Sequence, residues 1–539
     1  MSLTRGHGIV LVGLATSGKS TVGRILAERL GRRSIDTDEL LERQVGAPAP
    51  AYLTERGEDA FRAAERRAVI EACAQPGGVI AAGGGAVIDP LDRWDLWSYG
   101  TVVWLRASDA TLVRRLRASE TRRPLYEPYG EERVAELAAE RAPFYRAADL
   151  AVDAEPAATA VADEILARLP LNADDHRAAR LFAAEVPRHH PIGTPSTRIV
   201  YGVGSDAATF SDALGLVGGG RVAAIVDERL ARLTPALLEA LPPGPRRLMR
   251  AGERVKRLRV LEDLLAWLAA ERVERGMPLL AVGGGTIGDL AGTAAALYAR
   301  GLPLAHVPTS WLAQADSAIG GKVAVDLSGA KNAVGAFWPP AAVLADVSAL
   351  RSLPRARRRD GMAESLKAAL IGDPRLYSLI EERGLASLRH DEPARYAIVE
   401  RAVRQKLAVC ERDPFETGER RTLNLGHTIG HALEVAGGYR LPHGGAVALG
   451  LRAVAAIAER RGADPTLRPG LDALLARLGF APRHAFDPAA VRGALGTDKK
   501  RAAGRQRWIL PMAVGQVLEV DDVSDAELEH ALAAIQAEH

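Results

Sequence analysis

Ile9-Val-Leu-Val-Gly13-Leu-Ala-Thr-Ser-Gly18-Lys19-Ser20-Thr21 joins a β-branched run to a glycine-rich turn, and Ser20 to Leu30 then reads as a helix. The turn fits G-x-x-x-x-G-K-[ST] and has the strand before it and the helix after it that the pattern needs. Glycines let backbone N–H groups curl around phosphate oxygens, and the N-terminus of the following helix adds positive potential. Lys19 supplies a point charge toward β/γ-phosphates, and Ser20 can ligate Mg²⁺. The competing reading, a chance glycine-rich turn, has to explain why pattern and context agree. The stretch predicts a nucleotide loop on a parallel α/β sheet and leaves the acceptor open.

Working outward, Val79-Ile80 and Val102-Val-Trp104 read as further buried strands between amphipathic helical stretches, so a first α/β domain is expected over 1–171. From 172 to 195 the pattern dissolves into charges, histidines and prolines that suit a linker, in which RAARLFAAEV reads as a short helix. A second α/β pattern is expected over 196–353, with strand candidates Val222 to Val226, Leu279 to Val282 and Leu304 to Val307. Over 354–539 helical periodicity dominates. At 539 residues the chain is too long for one ordinary core. Basic and acidic residues number 70 and 67, a balance that gives no reason to expect nucleic acid. Two distant cysteines, Cys73 and Cys410, make no disulfide framework. Without a convincing signal peptide or a run of about 20 apolar residues, no membrane association and a cytoplasmic location are expected.

The rest of the first domain carries Asp36-Thr-Asp38, Phe61-Arg62, Gly83-Gly84-Gly85, Arg122-Arg123-Pro124-Leu125 and Arg141-Ala-Pro-Phe-Tyr145. Each alone has a bland reading: a helix cap, a turn, a solvated arginine face. Taken together and in this order they make residues 5–170 resemble shikimate kinase. The resemblance implies that Thr16, Ser17, Gly18, Lys19, Ser20, Thr21 and Arg123 bind ATP. Ser20 and Asp36 would hold Mg²⁺, Asp36 directly or through water. Asp38 would accept hydrogen bonds from shikimate hydroxyls, Arg62 and Arg141 would clamp its carboxylate, and Gly84 would let backbone approach the ring. The adenine-side arginine stays open among Arg114, Arg115 and Arg117.

In the second half, Gly283-Gly-Gly285-Thr-Ile-Gly288-Asp289 follows a strand and leads into a helix. Small residues there permit close approach to a pyrophosphate, although the spacing is not a regular dinucleotide fingerprint and a structural turn reads as well. Asp316-Ser-Ala-Ile-Gly-Gly321-Lys322 and Gly329-Ala-Lys331-Asn332 place lysines in what read as glycine-rich loops. Ala363-Glu364-Ser-Leu-Lys367, Asn424-Leu-Gly-His427-Thr-Ile-Gly-His431 and Pro442-His443-Gly444 follow. His427 and His431 share a helix face. Glu364, His427 and His443 make a plausible metal set with an open position, with core histidines as the alternative.

The whole stretch 196–539 resembles 3-dehydroquinate synthase. The resemblance implies a Rossmann-like α/β domain, a mostly helical metal-binding domain, and an NAD-assisted conversion of the sugar-acid phosphate DAHP to dehydroquinate and phosphate. NAD would lie on Asp227, Gly252, Glu253, Arg254, Val255, Lys256, Gly285, Thr286, Ile287, Gly288, Asp289, Thr309, Ser310, Lys331, Ala349, Leu350, Arg351 and Ser352. Glu364, His427 and His443 would bind Zn²⁺, Co²⁺ or a similar ion. Asp316, Lys322, Asn332, Lys367, Lys406, Arg420, Asn424, His431 and Lys499 or Lys500 would surround DAHP. In this reading Lys19 and Asp38 act in the first reaction, and Lys322, Arg420, Asn424 and His431 in the second. His431 would relay protons. A homodimer through this half is implied too, with Arg300 reaching a partner's site.

Two positions depart from the family pattern. His443-Gly444-Gly445 replaces the usual His-Gly-Glu, and Thr309-Ser310 replaces a Thr-Thr pair. Neither removes a ligand, although a neighbour of a ligand can still alter a metal site. The rivals are another sugar phosphate cyclase, a glycerol dehydrogenase-like enzyme, and a fusion with a dead half.

Overall fold

The computed structural model describes residues 8–119, 126, 131–145, 148–169, 181–187, 196–202, 220–327, 330–496, 501–502 and 505–537. Arg123, Lys499, Lys500 and most of the expected linker lie outside these residues. The chain divides into two compact units, Met1–Pro187 and Arg188–His539. Among the described residues no helix is long and apolar enough to cross a membrane.

The first unit is built on a parallel sheet in the order Ser34–Asp36, Val79–Ala81, Gly8–Val12, Gly100–Arg106, Leu150–Asp153. Every residue of Gly8–Val12 and of Val79–Ala81 is buried, as expected for strands covered on both faces by crossover helices. Ile9, Leu11, Val22, Leu26, Val103, Val161 and Ile165 form one side of the core. From the central strand Gly8–Val12 the chain runs to the edge strand Ser34–Asp36 and returns to Val79–Ala81, then crosses to Gly100–Arg106 on the other side of the centre. A crevice opens there at the carboxyl ends of the strands. The 13–18 turn, Asp36 and the triple glycine after Ala81 all lie at that end. Leu181–Pro187 is a strand and not the expected short helix.

The second unit has a parallel sheet in the order Ser196–Gly202, Ala342–Asp346, Leu304–Pro308, Leu279–Gly283, Ala223–Asp227, Arg246–Met249. Lys322 and Lys331 do not lie in loops. They belong to an antiparallel hairpin, Lys322–Leu327 with Ala330–Phe337. Helices follow from Arg355, and a late hairpin, Trp508–Ala513 with Gln516–Val520, interrupts the expected helical run.

Glycines set how closely the site-bearing helices pack. A Cβ on Gly450, in helix His443–Arg460, would stand 1.9 Å from the carbonyl oxygen of Gly426, which caps helix His427–Ala436. A Cβ on Gly444 would stand 2.4 Å from Asp360 in helix Arg355–Gly372. Backbone meets backbone at both places, so three helices come close enough for short side chains to converge. Gly450→Ala is expected to destabilise the second unit by about 1–3 kcal/mol through overpacking. Guanidinium unfolding would show this as a lower midpoint, and an unchanged midpoint would mean the helices are not this close.

Two candidate active sites

In the first unit residues 15–21, Asp36, Asp38, Gly84 and Arg115 line a cavity of about 370 Å³. Gly18 has φ 97° and caps helix Lys19–Leu30, so the turn delivers the helix N-terminus to the cavity. Lys19 Nζ donates to the carbonyls of Gly13 (2.9 Å) and Leu14 (2.8 Å). Its ammonium is thus held against the loop where an anion would draw it out. Ala15 N–H donates to the Tyr126 hydroxyl at 3.0 Å. Asp36 caps the next helix by accepting from Asp38 N at 2.9 Å, and both residues line the cavity.

The triple glycine faces the charged residues. A Cβ on Gly83 would meet Asp38 Oδ1 at 2.6 Å, and one on Gly85 would meet Arg62 at 2.3 Å. Arg141 and Tyr145 both donate to Gly84 O, at 3.0 and 2.8 Å. Arg62 is paired with the buried Glu65 at 2.6 Å. Burial pushes the Glu65 carboxyl up, and nearby Asp38 adds to this while Arg62 opposes it. Of the three arginines left open by the sequence, Arg115 is the one lining the cavity, donating to Ala154 O at 2.9 Å.

The second site centres on Glu364. Its Oε1 lies 3.0 Å from His443 Nε2 and 3.4 Å from His427 Nε2. Its Oε2 lies 2.6 Å from Lys367 Nζ. His427 Nδ1 sits 3.1 Å from Leu425 O, so the ring N–H points there and Nε2 turns a lone pair toward the carboxylate. Two electron-rich atoms facing each other across a buried gap call for a cation between them. These three residues form a set whose ligand atoms all lie within 4.8 Å of one another; His431, Glu434 and His443 form a second such set. Behind His443, Glu434 lies 3.4 Å from Nδ1, the arrangement that orients a ligating histidine.

Charges alternate outward from Glu364. Lys367 is 3.6 Å from Asp316, and Lys406 is 2.8 Å from the same carboxylate. Burial alone would raise Glu364 and Asp316, but Lys367 beside both, with Lys406 beside Asp316, holds both below the ordinary carboxylate range. Asp316 sits in a π-helical turn, Ala313–Ser317, a distortion that often marks functional positions. Lys322 pairs with Glu416 at 2.5 Å, and Asn424 donates to the same carboxylate at 2.8 Å. Arg420 donates to Gly320 O at 2.6 Å. Asn332 accepts from Lys256 at 2.6 Å.

The residues expected to hold a dinucleotide gather at the carboxyl ends of the parallel strands. Asp227 ends one strand and Gly284 caps helix Gly285–Leu297. Thr309 N–H donates to Gly283 O at 2.9 Å, tying the next crossover to that turn. Gly252 N–H donates to Thr286 Oγ1 at 3.2 Å, and Lys256 pairs with Asp289 at 2.7 Å. Ala349 to Ser352 lie in the turn Val347–Ser352 after strand Ala342–Asp346. Lys331 lies 3.2 Å from Glu253 and 3.4 Å from Glu434, so it links this edge to His443. Arg300 is exposed at the far end of helix Gly285–Leu297, roughly 20 Å from Gly285 along a helix of 1.5 Å rise, and does not join this chain's own cluster.

Comparison with known proteins follows the same division. The shikimate kinase family model matches residues 15–170. Models for the N-terminal and C-terminal parts of 3-dehydroquinate synthase match 247–360 and 361–501. The 3-dehydroquinate synthase of Paracoccus denitrificans (strain Pd 1222) is 38% identical over 359 residues, which are 64% of this chain and 98% of that one. The chain belongs to the 3-dehydroquinate synthase family and carries a shikimate kinase domain ahead of it. It is a bifunctional enzyme of the shikimate pathway.

Among solved structures, 2-epi-5-epi-valiolone synthase from Streptomyces hygroscopicus subsp. jinggangensis 5008, with NAD⁺ and Zn²⁺ bound, is 28% identical with a TM-score of 0.59, covering 64% of this chain and 98% of that one. A 2-deoxy-scyllo-inosose synthase complexed with carbaglucose-6-phosphate, NAD⁺ and Co²⁺ is 26% identical with a TM-score of 0.56, covering 62% and 94%.

Three carboxylates of the two sites went unread in the sequence. Glu65 stands three residues after Arg62, and Glu434 three after His431, a helical spacing that could have marked both. Glu416 lies in an irregular loop and offers no such signal.

Burial opposes a charge on His443, but its hydrogen bonds to Glu364 and Glu434 raise its pKa to about 10. A raised pKa means that the ring is protonated through neutral pH, so a metal ion must displace that proton. At pH 7, Zn²⁺ uptake is expected to release close to one proton, read as a calorimetric enthalpy that follows the ionisation heat of the buffer. Apparent affinity should climb about tenfold per pH unit up to that value. A buffer-independent enthalpy with pH-independent affinity would show a His443 that is already neutral.

Proposed function

We propose that the Lys19 cleft moves the γ-phosphoryl group of ATP to a shikimate hydroxyl, giving ADP and shikimate 3-phosphate. On this reading the backbone N–H groups of the turn and Lys19 hold the phosphates, while Ser20 and Asp36 hold Mg²⁺. Arg62 and Arg141 grip the shikimate carboxylate, and Asp38 orients the attacking hydroxyl. Catalysis is positioning and charge neutralisation.

In the second unit we propose that Glu364, His427 and His443 hold a divalent metal ion and that the strand ends hold NAD. What carries this reading is the lone-pair confrontation at Glu364: a buried carboxylate and an imidazole nitrogen aimed at one point. NAD and the ion would supply reversible hydride acceptance and a Lewis-acid hold on substrate hydroxyls. The protein's own groups do the rest. Lys322, Lys406, Arg420 and Asn424 bind the carboxylate and phosphate of DAHP. Lys367 and Asp316 hold its hydroxyls, Asn332 with them. His431, whose ring centroid lies 5.2 Å from that of His427, takes and returns protons beside the alcohol being oxidised. Lys331 and Lys256 neutralise the dinucleotide's charge, and Lys500 completes the substrate's surroundings. A homodimer through this half brings the exposed Arg300 to a partner's site, and the enzyme works in the cytoplasm.

Two variants test the assignment in purified full-length protein. Lys19→Ala is expected to lower ATP-dependent shikimate phosphorylation at least a hundredfold and leave phosphate release from DAHP intact. His427→Ala should do the reverse. If either variant abolished both activities, or if wild-type protein released no phosphate from DAHP, the assignment would fail. Dialysis against a chelator should silence DAHP turnover, with recovery on adding Zn²⁺ or Co²⁺. Activity that survived complete metal removal would count against Glu364, His427 and His443 as ligands.

A further inference from the structure

Glu416 is a carboxylate inside a cluster otherwise suited to anions. Its Oε2 lies 2.5 Å from Lys322 Nζ, and its Oε1 accepts from Asn424 Nδ2 at 2.8 Å. Both oxygens are therefore engaged, by two residues assigned above to the substrate's anionic groups. Arg420, the next cation of the cluster, spends its guanidinium on the carbonyls of Gly320 and Pro414. Burial pushes Lys322 down and Arg420 and Lys406 push it further, while Glu416 opposes them. Without a carboxylate here the cluster would hold a larger excess of positive charge.

The loop aims this carboxylate. Glu416 has φ 60°, a left-handed backbone that costs a residue other than glycine about 1–2 kcal/mol. Asp413 holds that conformation by accepting from Thr417 N (2.8 Å), Gly418 N (2.6 Å) and Arg420 N (3.0 Å). The Lys322 side chain remains 46% exposed and that of Glu416 24%, so solvent reaches the pair and lowers the cost of breaking it.

We propose that Glu416 is an internal counter-anion that occupies the anion subsite on Lys322 and Asn424 until a more highly charged group displaces it. This rests on the synthase reading above and adds a specificity element to it. A singly charged carboxylate gains little by replacing Glu416, whereas a phosphate group of nearly two negative charges gains more. When phosphate leaves as product, Glu416 swings back and eases its release.

The test is inorganic phosphate, as competitive inhibitor against DAHP and as calorimetric ligand, with full-length protein holding NAD and Zn²⁺. Glu416→Gln and Glu416→Ala are each expected to tighten phosphate inhibition at least fivefold and to let acetate inhibit where it did not before. Glu419→Gln removes the same charge from the same segment, but Glu419 pairs with Arg412 at 2.6 Å, and this variant should match wild type. Unchanged or weakened phosphate binding in both Glu416 variants would overturn the proposal and make Glu416 a brace for Lys322. A wild type that fails to turn over DAHP would defeat the synthase reading, while direct phosphate titration of wild type and variants would still decide the role of Glu416.

Discussion

The second unit is arranged around one buried anion, the carboxylate of Glu364, whose residue is 2% exposed. An unpaired carboxylate at that depth would cost several kcal/mol even after relaxation. It is tolerated because Lys367 and His443 are paired with it. Lys367 is buried in turn and answered by Asp316, which Lys406 answers again. The network draws on the turn Ala313–Ser317 and on helices Arg355–Gly372, Glu392–Arg412, His427–Ala436 and His443–Arg460. Their close approach depends on glycines such as Gly444 and Gly450. The packing and the electrostatics are two views of the same constraint.

The first unit solves a similar problem with less buried charge. Its proposed anion cradle is made of backbone N–H groups and a helix N-terminus, and the turn's polar groups find partners within the protein. Lys19 rests on two carbonyls, and Arg62 rests on Glu65. In both units a cation proposed above to bind a ligand is paired within the protein itself. A ligand then exchanges one set of partners for another and does not have to create charge pairs in a dry pocket.

Much of this was legible in the sequence. The turn before Lys19 and the strands at Val79 and Leu279 appear where the residue patterns place them, because local rules such as a glycine turn between strand and helix govern them. The Glu364/His427/His443 set is spread over 80 residues, so spacing marks it poorly and the family resemblance supplied it. What escaped reading depends on distant contacts. Lys322 and Lys331 looked like loop lysines because glycines flank them, yet the two segments pair as a hairpin. The strand at Leu181 looked helical from its alanines. Glu416 had no periodicity to betray it, since its role depends on how Asp413 folds a short loop. Gly445, the departure from the family's pattern, meets only Leu441 at ordinary contact distance, so nothing in the packing demands a glycine there.

The proposal is that Glu364, His427 and His443 converge on one cation, and anomalous diffraction at the zinc edge, from crystals grown with Zn²⁺ and NAD, would locate it. A single strong peak is expected about 2.0–2.2 Å from Glu364 Oε1, His427 Nε2 and His443 Nε2. Lys367 should still hold Oε2. No peak at that point, or a peak bound by His431 and Glu434 in place of Glu364 and His427, would contradict it.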